Sequence, residues 1–174
     1  LPSAPAVENH KINSASTYVM RAASLVFLIL LCQGIGILGA RWTAPEIPAW
    51  YSTLTKPSFN PPSWIFGPVW TLLYLLMAIA AWRIVHTPAS TDRTAALAVF
   101  AIQLALNLLW SWIFFRHHAL GAALVEVICL WLTIAVSAIL FARIDSIAAW
   151  LLTPYLAWTA FASLLNGAIW RLNK

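Results

Sequence analysis

Charge is what this chain has least of. Asp, Glu, Lys and Arg make up only 9% of its 174 residues, hydrophobic residues make up 62%, and the mean hydropathy is +0.82. That balance excludes an ordinary soluble domain, which exposes far more charge to water. The net charge of +5 does not point to nucleic acid. Its basic residues stand singly, with no cluster or stripe to follow a phosphate backbone. Cysteine is equally sparse. Cys32 and Cys129 lie in apolar runs without paired spacing or neighbouring ligand residues, so they read as small core residues, with no redox consequence. No Ser/His/Asp set, carboxylate pair, metal-spaced His/Cys cluster or Gly-rich phosphate loop is legible. No metal site and no required cofactor are therefore expected.

What the chain does have is long apolar runs. Five charge-free windows, roughly 22–40, 64–82, 95–115, 119–142 and 147–170, are long enough to cross about 30 Å of hydrocarbon. Arg41, Arg83, Arg116, Arg143 and Arg171 each fall just past a window, where a cationic head can reach the interface. Short connections predict an all-α integral membrane protein, a five-transmembrane-helix bundle running up and down, with the termini on opposite faces. Lys11, Arg21, Arg83, Arg93 and Arg143 would share one side, and Arg41, Lys56, Arg116, Arg171 and Lys174 the other. The positive-inside rule finds no asymmetry there. Residues 1–19 are polar and lack an apolar h-region, so they are read as a disordered extension or vector-derived remnant rather than a signal peptide. The bundle is assigned to residues 20–174, starting at Met20-Arg21.

Within the bundle, residues 50–81 are the most informative stretch. Helix one is expected to end in GIGILGARW, where Gly36 and Ala40 form a small-xxx-small pair read as intramolecular packing. Residues 41–63 then form one long connection, stiffened by Pro45, Pro48, Pro57, Pro61 and Pro62 and carrying Trp42, Trp50, Tyr51 and Phe59. A loop this long is usually functional or disordered, and its prolines reduce the entropy lost on closing over a bundle end. Helix two places Phe66, Trp70, Tyr74, Met77 and Ala81 on one face; helix three does the same with Gln103, Asn107, Trp110 and Phe114. Helix five aligns Pro154, Trp158, Ala162, Leu165 and Ile169. Thr94 or Asp92 is expected to cap helix three, and Asp145-Ser146 to begin helix five.

Trp70, Trp110 and Trp158 lie well inside spans, away from the headgroup level where belt tryptophans belong. Core packing explains any one of them. Three on inward stripes of three helices favour a stacking site for a flat, apolar ligand beneath the loop. Asn107 and Gln103 must point inward, because a lipid-facing amide forfeits its hydrogen bonds. Asn107 can serve as interhelical glue or as a ligand contact, whereas Gln103 reads as glue. Glu126, the one acid inside a window, is a functional candidate or a structural partner of a helix-end Arg or an indole N–H. His117 and His118 read as solvated interface residues.

These residues also carry a resemblance. Trp50-Tyr51, Lys56-Pro57, Pro61-Pro62, Trp70 and Tyr74, then QLALNLLWSWIFF (residues 103–115) and PYLAWTAFASLLN (residues 154–166), closing with Trp170-Arg171, resemble the TspO/MBR family. This is the translocator protein, or peripheral-type benzodiazepine receptor, with its bacterial tryptophan-rich sensory relatives. The resemblance implies five helices around a pocket lidded by the first loop, and ligands such as protoporphyrin IX, sterols and synthetic isoquinoline carboxamides or benzodiazepines. It implies that Tyr51, Trp70, Tyr74, Asn107, Trp110, Trp158 and Ala162 line that pocket; Phe114 joins them from the helix-three stripe. It further implies a homodimer through Ala101 and Ala105. In some bacterial relatives it implies light- and oxygen-dependent porphyrin breakdown, for which Trp70 and Trp158 would be the catalytic residues.

Two positions depart from the family pattern. Phe59 stands where the family has Trp, keeping a ring but losing an N–H donor. Gly167 stands where the sterol-recognition pattern at the end of helix five needs Tyr, and that motif is weak even when complete. The second departure favours a porphyrin-binding translocator or sensor in a bacterial envelope membrane over a sterol-binding protein of the mitochondrial outer membrane. Porphyrin degradation and sterol or lipid transport stand as alternatives.

Overall fold

A chain dissolved in hydrocarbon must satisfy its own backbone N–H and C=O groups, and for apolar runs of this length that means helix. The computed structural model describes the backbone from Ala4 to Lys174 and the side chains from Ser16 onward. Every regular element among these residues is helical: α1 (Ala4–Ala49), α2 (Phe66–Val85), α3 (Thr91–Ser111), α4 (Leu120–Ala142) and α5 (Ser146–Leu172). All five are long and apolar enough to cross a membrane, as expected from composition. The helix already runs from Ala4, so residues 4–19 of the anticipated extension continue into α1; residues 1–3 lie outside the described part.

Packing closes the helices into a ring. α1 lies on α2, α2 on α5, α5 on α4, α4 on α3, and α3 returns to α1. At the α1 entry face, Trp82 Nε1 donates to the Arg21 carbonyl at 3.0 Å, and Arg83 pairs with Asp145 at 2.8 Å. At the other face the chain end is tied to the first loop. Asn173 accepts from the Thr55 backbone N–H and donates to the Thr55 carbonyl, both at 2.9 Å.

Two local readings need correction. α1 does not end at Trp42 but passes through Pro45 and Pro48 to Ala49. Proline's fixed φ suits a helix, and the carbonyls it frees belong to exposed Arg41 and Ala44. The helical spacing resumes where Trp50 N–H reaches the Glu46 carbonyl at 3.0 Å. The connection therefore shrinks to residues 50–62, with short 3-10 turns at Tyr51–Thr53 and, at its far end, Ser63–Ile65. The cap of α3 is Ser90, not Thr94 or Asp92: its extended backbone lets the hydroxyl accept from Arg93 N–H at 3.1 Å. Asp145 begins α5 as anticipated, accepting from the N–H groups of Ile147 and Ala148. Within α5, Pro154 cannot donate to the Trp150 carbonyl, and the Thr153 hydroxyl donates to it instead at 2.7 Å.

A candidate ligand-binding cavity

Inside the ring, toward the loop face, lies a cavity of about 340 Å³, walled by α1, α2, α3, α5 and the first loop. α4 stands behind α3 and α5 and contributes nothing to its lining. Tyr51, Trp70, Tyr74, Asn107, Trp110, Phe114, Trp158 and Ala162 all line it, so residues far apart in sequence meet in one space. Its volume falls within the range of small-molecule sites, about 300–1,000 Å³.

Small residues create the room. The Tyr74 ring lies against Gly36, where an added Cβ would come within 2.5 Å of Tyr74 Cε2. Gly36 thus serves packing within the chain. On the cavity's outer edge, Ile37, Ala40 and Ala44 of α1 and Gly67 and Thr71 of α2 are lining residues that remain exposed, so the mouth opens between these two helices. Gln33 closes the lower end of that gap, donating from Nε2 to the Thr71 carbonyl at 2.9 Å.

The opposite end owes its shape to a wide turn. Over Trp112–Arg116 the chain takes π-helical spacing, and His117 N–H reaches back to the Trp112 carbonyl. In a regular α-helix, neighbours point about 100° apart. Here consecutive Phe114 and Phe115 are both buried, facing Tyr51 and Trp50 of the loop. Trp50 in turn stacks on His118 at 3.9 Å, while His118 Nε2 meets Glu46 at 3.0 Å. His118 and His117 are exposed as expected, but His118 is a strap between the α3–α4 corner and the end of α1 rather than a solvated bystander.

Tyr51 holds the loop from inside. It is 5% exposed and donates to Asn60 Oδ1 at 2.7 Å, with Lys56 Nζ 4.8 Å from its ring centroid. Burial pushes its phenol up to about 12, so it stays a donor at neutral pH.

Hydrogen bonding separates the aromatic residues by role. Tyr74 donates to Asn107 Oδ1, and Asn107 Nδ2 donates to Tyr155 OH at 3.0 Å, so Asn107 joins three helices while lining the cavity. Trp110 Nε1 is committed to Asn166 Oδ1 at 3.2 Å, and its ring stacks on Phe114 at 4.9 Å. Trp70 and Trp158 differ: each packs edge-on or tilted against neighbours, and neither indole N–H has a partner among the described residues. Among the described residues, no charged side chain lines the space. The wall therefore offers flat apolar faces, two unspent indole donors and neutral polar groups, a chemistry suited to a flat, largely apolar guest.

Gln103 is buried, its amide nitrogen 3.9 Å from Met77 Sδ, and its oxygen has no partner among the described residues. Glu126 forms neither of the pairs anticipated for it. Ala101 and Ala105 lie exposed on the outer face of α3. Sequence reasoning missed Gln33, Thr43, Ser111, Phe161 and Asn166 as lining residues. Phe161 and Asn166 follow from Trp158 at helical steps, and Gln33 was legible as the amide within the first span.

The TspO/MBR family pattern matches residues 28–171. The chain is 41% identical to "Tryptophan-rich protein TspO" of Chlorobaculum tepidum, over 86% of this chain and 96% of that one. It is 38% identical to "Protein CrtK" of Rhodobacter capsulatus, over 82% of this chain and 88% of the relative. It is also 38% identical to "Translocator protein" of Bos taurus, over 80% and 83% respectively. With five membrane-spanning helices, an aromatic cavity under the first loop and this breadth of match, the chain belongs to the TspO/MBR family.

Proposed function

We propose that this membrane protein binds porphyrins, protoporphyrin IX and related haem-pathway tetrapyrroles, in the cavity beneath its first loop, acting as a translocator or sensor without a cofactor of its own. The observation that carries this reading is the meeting of Trp70, Tyr74, Trp110 and Trp158 around one uncharged space, with the Trp70 and Trp158 N–H groups unspent. Ring faces would supply affinity, and the free indole donors and Asn107 would supply orientation. Titrating the reconstituted protein with protoporphyrin IX while following tryptophan emission tests it: saturable quenching is expected, weakened in Trp158→Ala. Quenching that is linear and identical in both proteins would reject the reading.

A second reading is supported by the same two tryptophans. Two indoles that face the guest without hydrogen-bond partners are candidates for light- and oxygen-dependent porphyrin breakdown. Comparing lit and dark samples of wild type and Trp70→Phe tests this, because only the oxidative reading needs an indole there. We also read the protein as a homodimer joined through the exposed Ala101 and Ala105 of α3, in a bacterial envelope membrane. Sterol binding is the weaker alternative, since Gly167 occupies the Tyr position of the recognition pattern.

A further inference from the structure

α4 carries one acid into the bundle. Glu126 lies six residues past Leu120, about 9 Å along the helix axis, and is 7% exposed. Neither of its carboxyl oxygens has a hydrogen-bond partner among the described residues. Arg83 pairs with Asp145 and His118 Nε2 meets Glu46, and Glu126 takes part in neither contact. The elements packed against α4 are α3, α5 and the Trp112–Arg116 turn. Their titratable side chains are Asp92 and Arg93 at the far end of α3, exposed Arg116 and Arg171, and buried Tyr155. α4 itself adds exposed Cys129 and is flanked by His117, His118, Arg143 and Asp145 at its ends. Glu126 and Tyr155 are both buried, on two helices, α4 and α5, that pack directly on one another.

Tyr155 is the end of a polar chain that starts in the cavity. Tyr74 donates to Asn107, Asn107 donates to the Tyr155 hydroxyl, and that hydroxyl donates to no described residue. An unspent phenolic proton on α5 and an acid with unspent oxygens on the adjoining α4 are thus buried in the same bundle. An ionised carboxylate placed there would forfeit its hydration with no cation paired to it and no donor already bonded to it, whereas the neutral acid forfeits far less.

We propose that Glu126 is a proton-binding site, held as the uncharged acid behind the cavity wall, and that exchange of its proton with solvent water is coupled through Tyr155, Asn107 and Tyr74 to occupancy of the cavity. Loss of the proton leaves a negative charge that attracts the free Tyr155 O–H toward α4, shifting the hydroxyl that positions the Asn107 amide. The coupling rests on the porphyrin-binding reading; the proton site does not.

The test uses the full chain in lipid nanodiscs and two readouts. Infrared spectra of wild type and Glu126→Gln, taken across pH in light and heavy water, read the proton with no ligand present. A deuteration-sensitive carboxylic-acid band at neutral pH in wild type, absent from the variant, is expected. Asp145 does not compete for that assignment, because its carboxylate is paired with Arg83. Should the variant fail to fold, carbon-13 glutamate in wild type identifies the band by its isotope shift. The second readout is protoporphyrin IX quenching. Glu126→Gln mimics the neutral acid, so it binds like wild type at neutral pH. Across the interval in which the wild-type band disappears, wild-type affinity changes by about fivefold or more, the lower end of typical site–site coupling, while the variant stays level. Absence of the band overturns the proton site. Parallel affinity curves for the two proteins overturn the coupling. A band without any porphyrin binding supports the proton site, and overturns both the binding reading and the coupling built on it.

Discussion

Gly36 of α1 and the Tyr74 ring of α2 occupy space that no larger residue at position 36 could share, since a Cβ there would lie 2.5 Å from Cε2 and 2.7 Å from Cδ2 of the tyrosine. The ring cannot retreat freely, because its hydroxyl is bonded to Asn107. Gly36→Ala should therefore displace Tyr74, weaken that bond and narrow the cavity. Overpacking of this kind costs about 1–3 kcal/mol. A lower thermal midpoint and weaker protoporphyrin quenching are expected together. A variant as stable and as tight-binding as wild type would show that the ring moves at no cost.

Trp158 offers both a face and a donor, and two substitutions separate them. Trp158→Phe keeps a ring and removes the N–H; Trp158→Ala removes both. A ring contact contributes about 0.5–1.5 kcal/mol beyond area burial, so Ala should weaken porphyrin affinity several-fold or more and Phe less. Equal losses would mean that the indole N–H, not the ring, carries the interaction.

The mouth between α1 and α2 can be obstructed where there is space to do so. An added Cβ at Gly67 meets nothing within 4 Å, so Gly67→Trp should fold and place its ring across the opening. Stopped-flow quenching should then show slower association of protoporphyrin with little change in stability. An unchanged association rate would place the entry elsewhere, such as beneath the loop.

Asp145 makes the bundle acid-sensitive at its α1 entry face. Burial disfavours its charge, but the Arg83 hydrogen bond, the Ala148 and Ile147 N–H groups and the Arg83 charge outweigh this and hold its carboxyl below the ordinary value. A depressed folded value means the stabilisation is present above the unfolded value near 3.9 and is lost as pH falls through the folded one. Stability should decline on strong acidification in wild type and less steeply in Asp145→Asn, which can still accept as a cap. Loss of the cap altogether in Asp145→Ala should cost about 0.5–2 kcal/mol.

Tyr51 gives the opposite pH dependence at the loop. Its folded value is raised to about 12 by burial, so its contribution is complete below the unfolded value near 10 and fades as pH rises through the folded one. Tyr51→Phe, which loses the bond to Asn60, should destabilise by about 1 kcal/mol and open residues 52–60 to proteolysis already at neutral pH. Equal cleavage rates in the two proteins would remove Tyr51 from the role of loop anchor.

The candidate site was legible in part, and the reason is periodicity. Trp70 and Tyr74, Asn107 and Trp110, and Trp158 and Ala162 fall at helical steps, so each pair shares a face wherever the helix packs. α1 was harder to read. Its prolines looked like the start of a loop, yet they fit the helical φ and sit where freed carbonyls are exposed, so the helix continued to Ala49. The contribution of Thr43 was hidden for a related reason: α1 has no aromatic stripe to mark its inner face, and only the lone amide of Gln33 hinted at it. The π-helical turn had no sequence signal at all, and Phe114 and Phe115 within it both contact Trp50 and Tyr51.

By itself the amino-acid sequence determined that this chain crosses a membrane five times as helices, because hydrocarbon admits no unpaired backbone and few charges. It also determined which aromatic and amide residues share a helix face, because that follows from 3.6 residues per turn. Only the tertiary structure decided that α4 is shut out of the cavity, that the mouth lies between α1 and α2, and that Trp110 spends its N–H on Asn166 while Trp70 and Trp158 keep theirs. Those outcomes depend on the order in which helices close the ring and on where small residues let them approach, and no single segment contains that information.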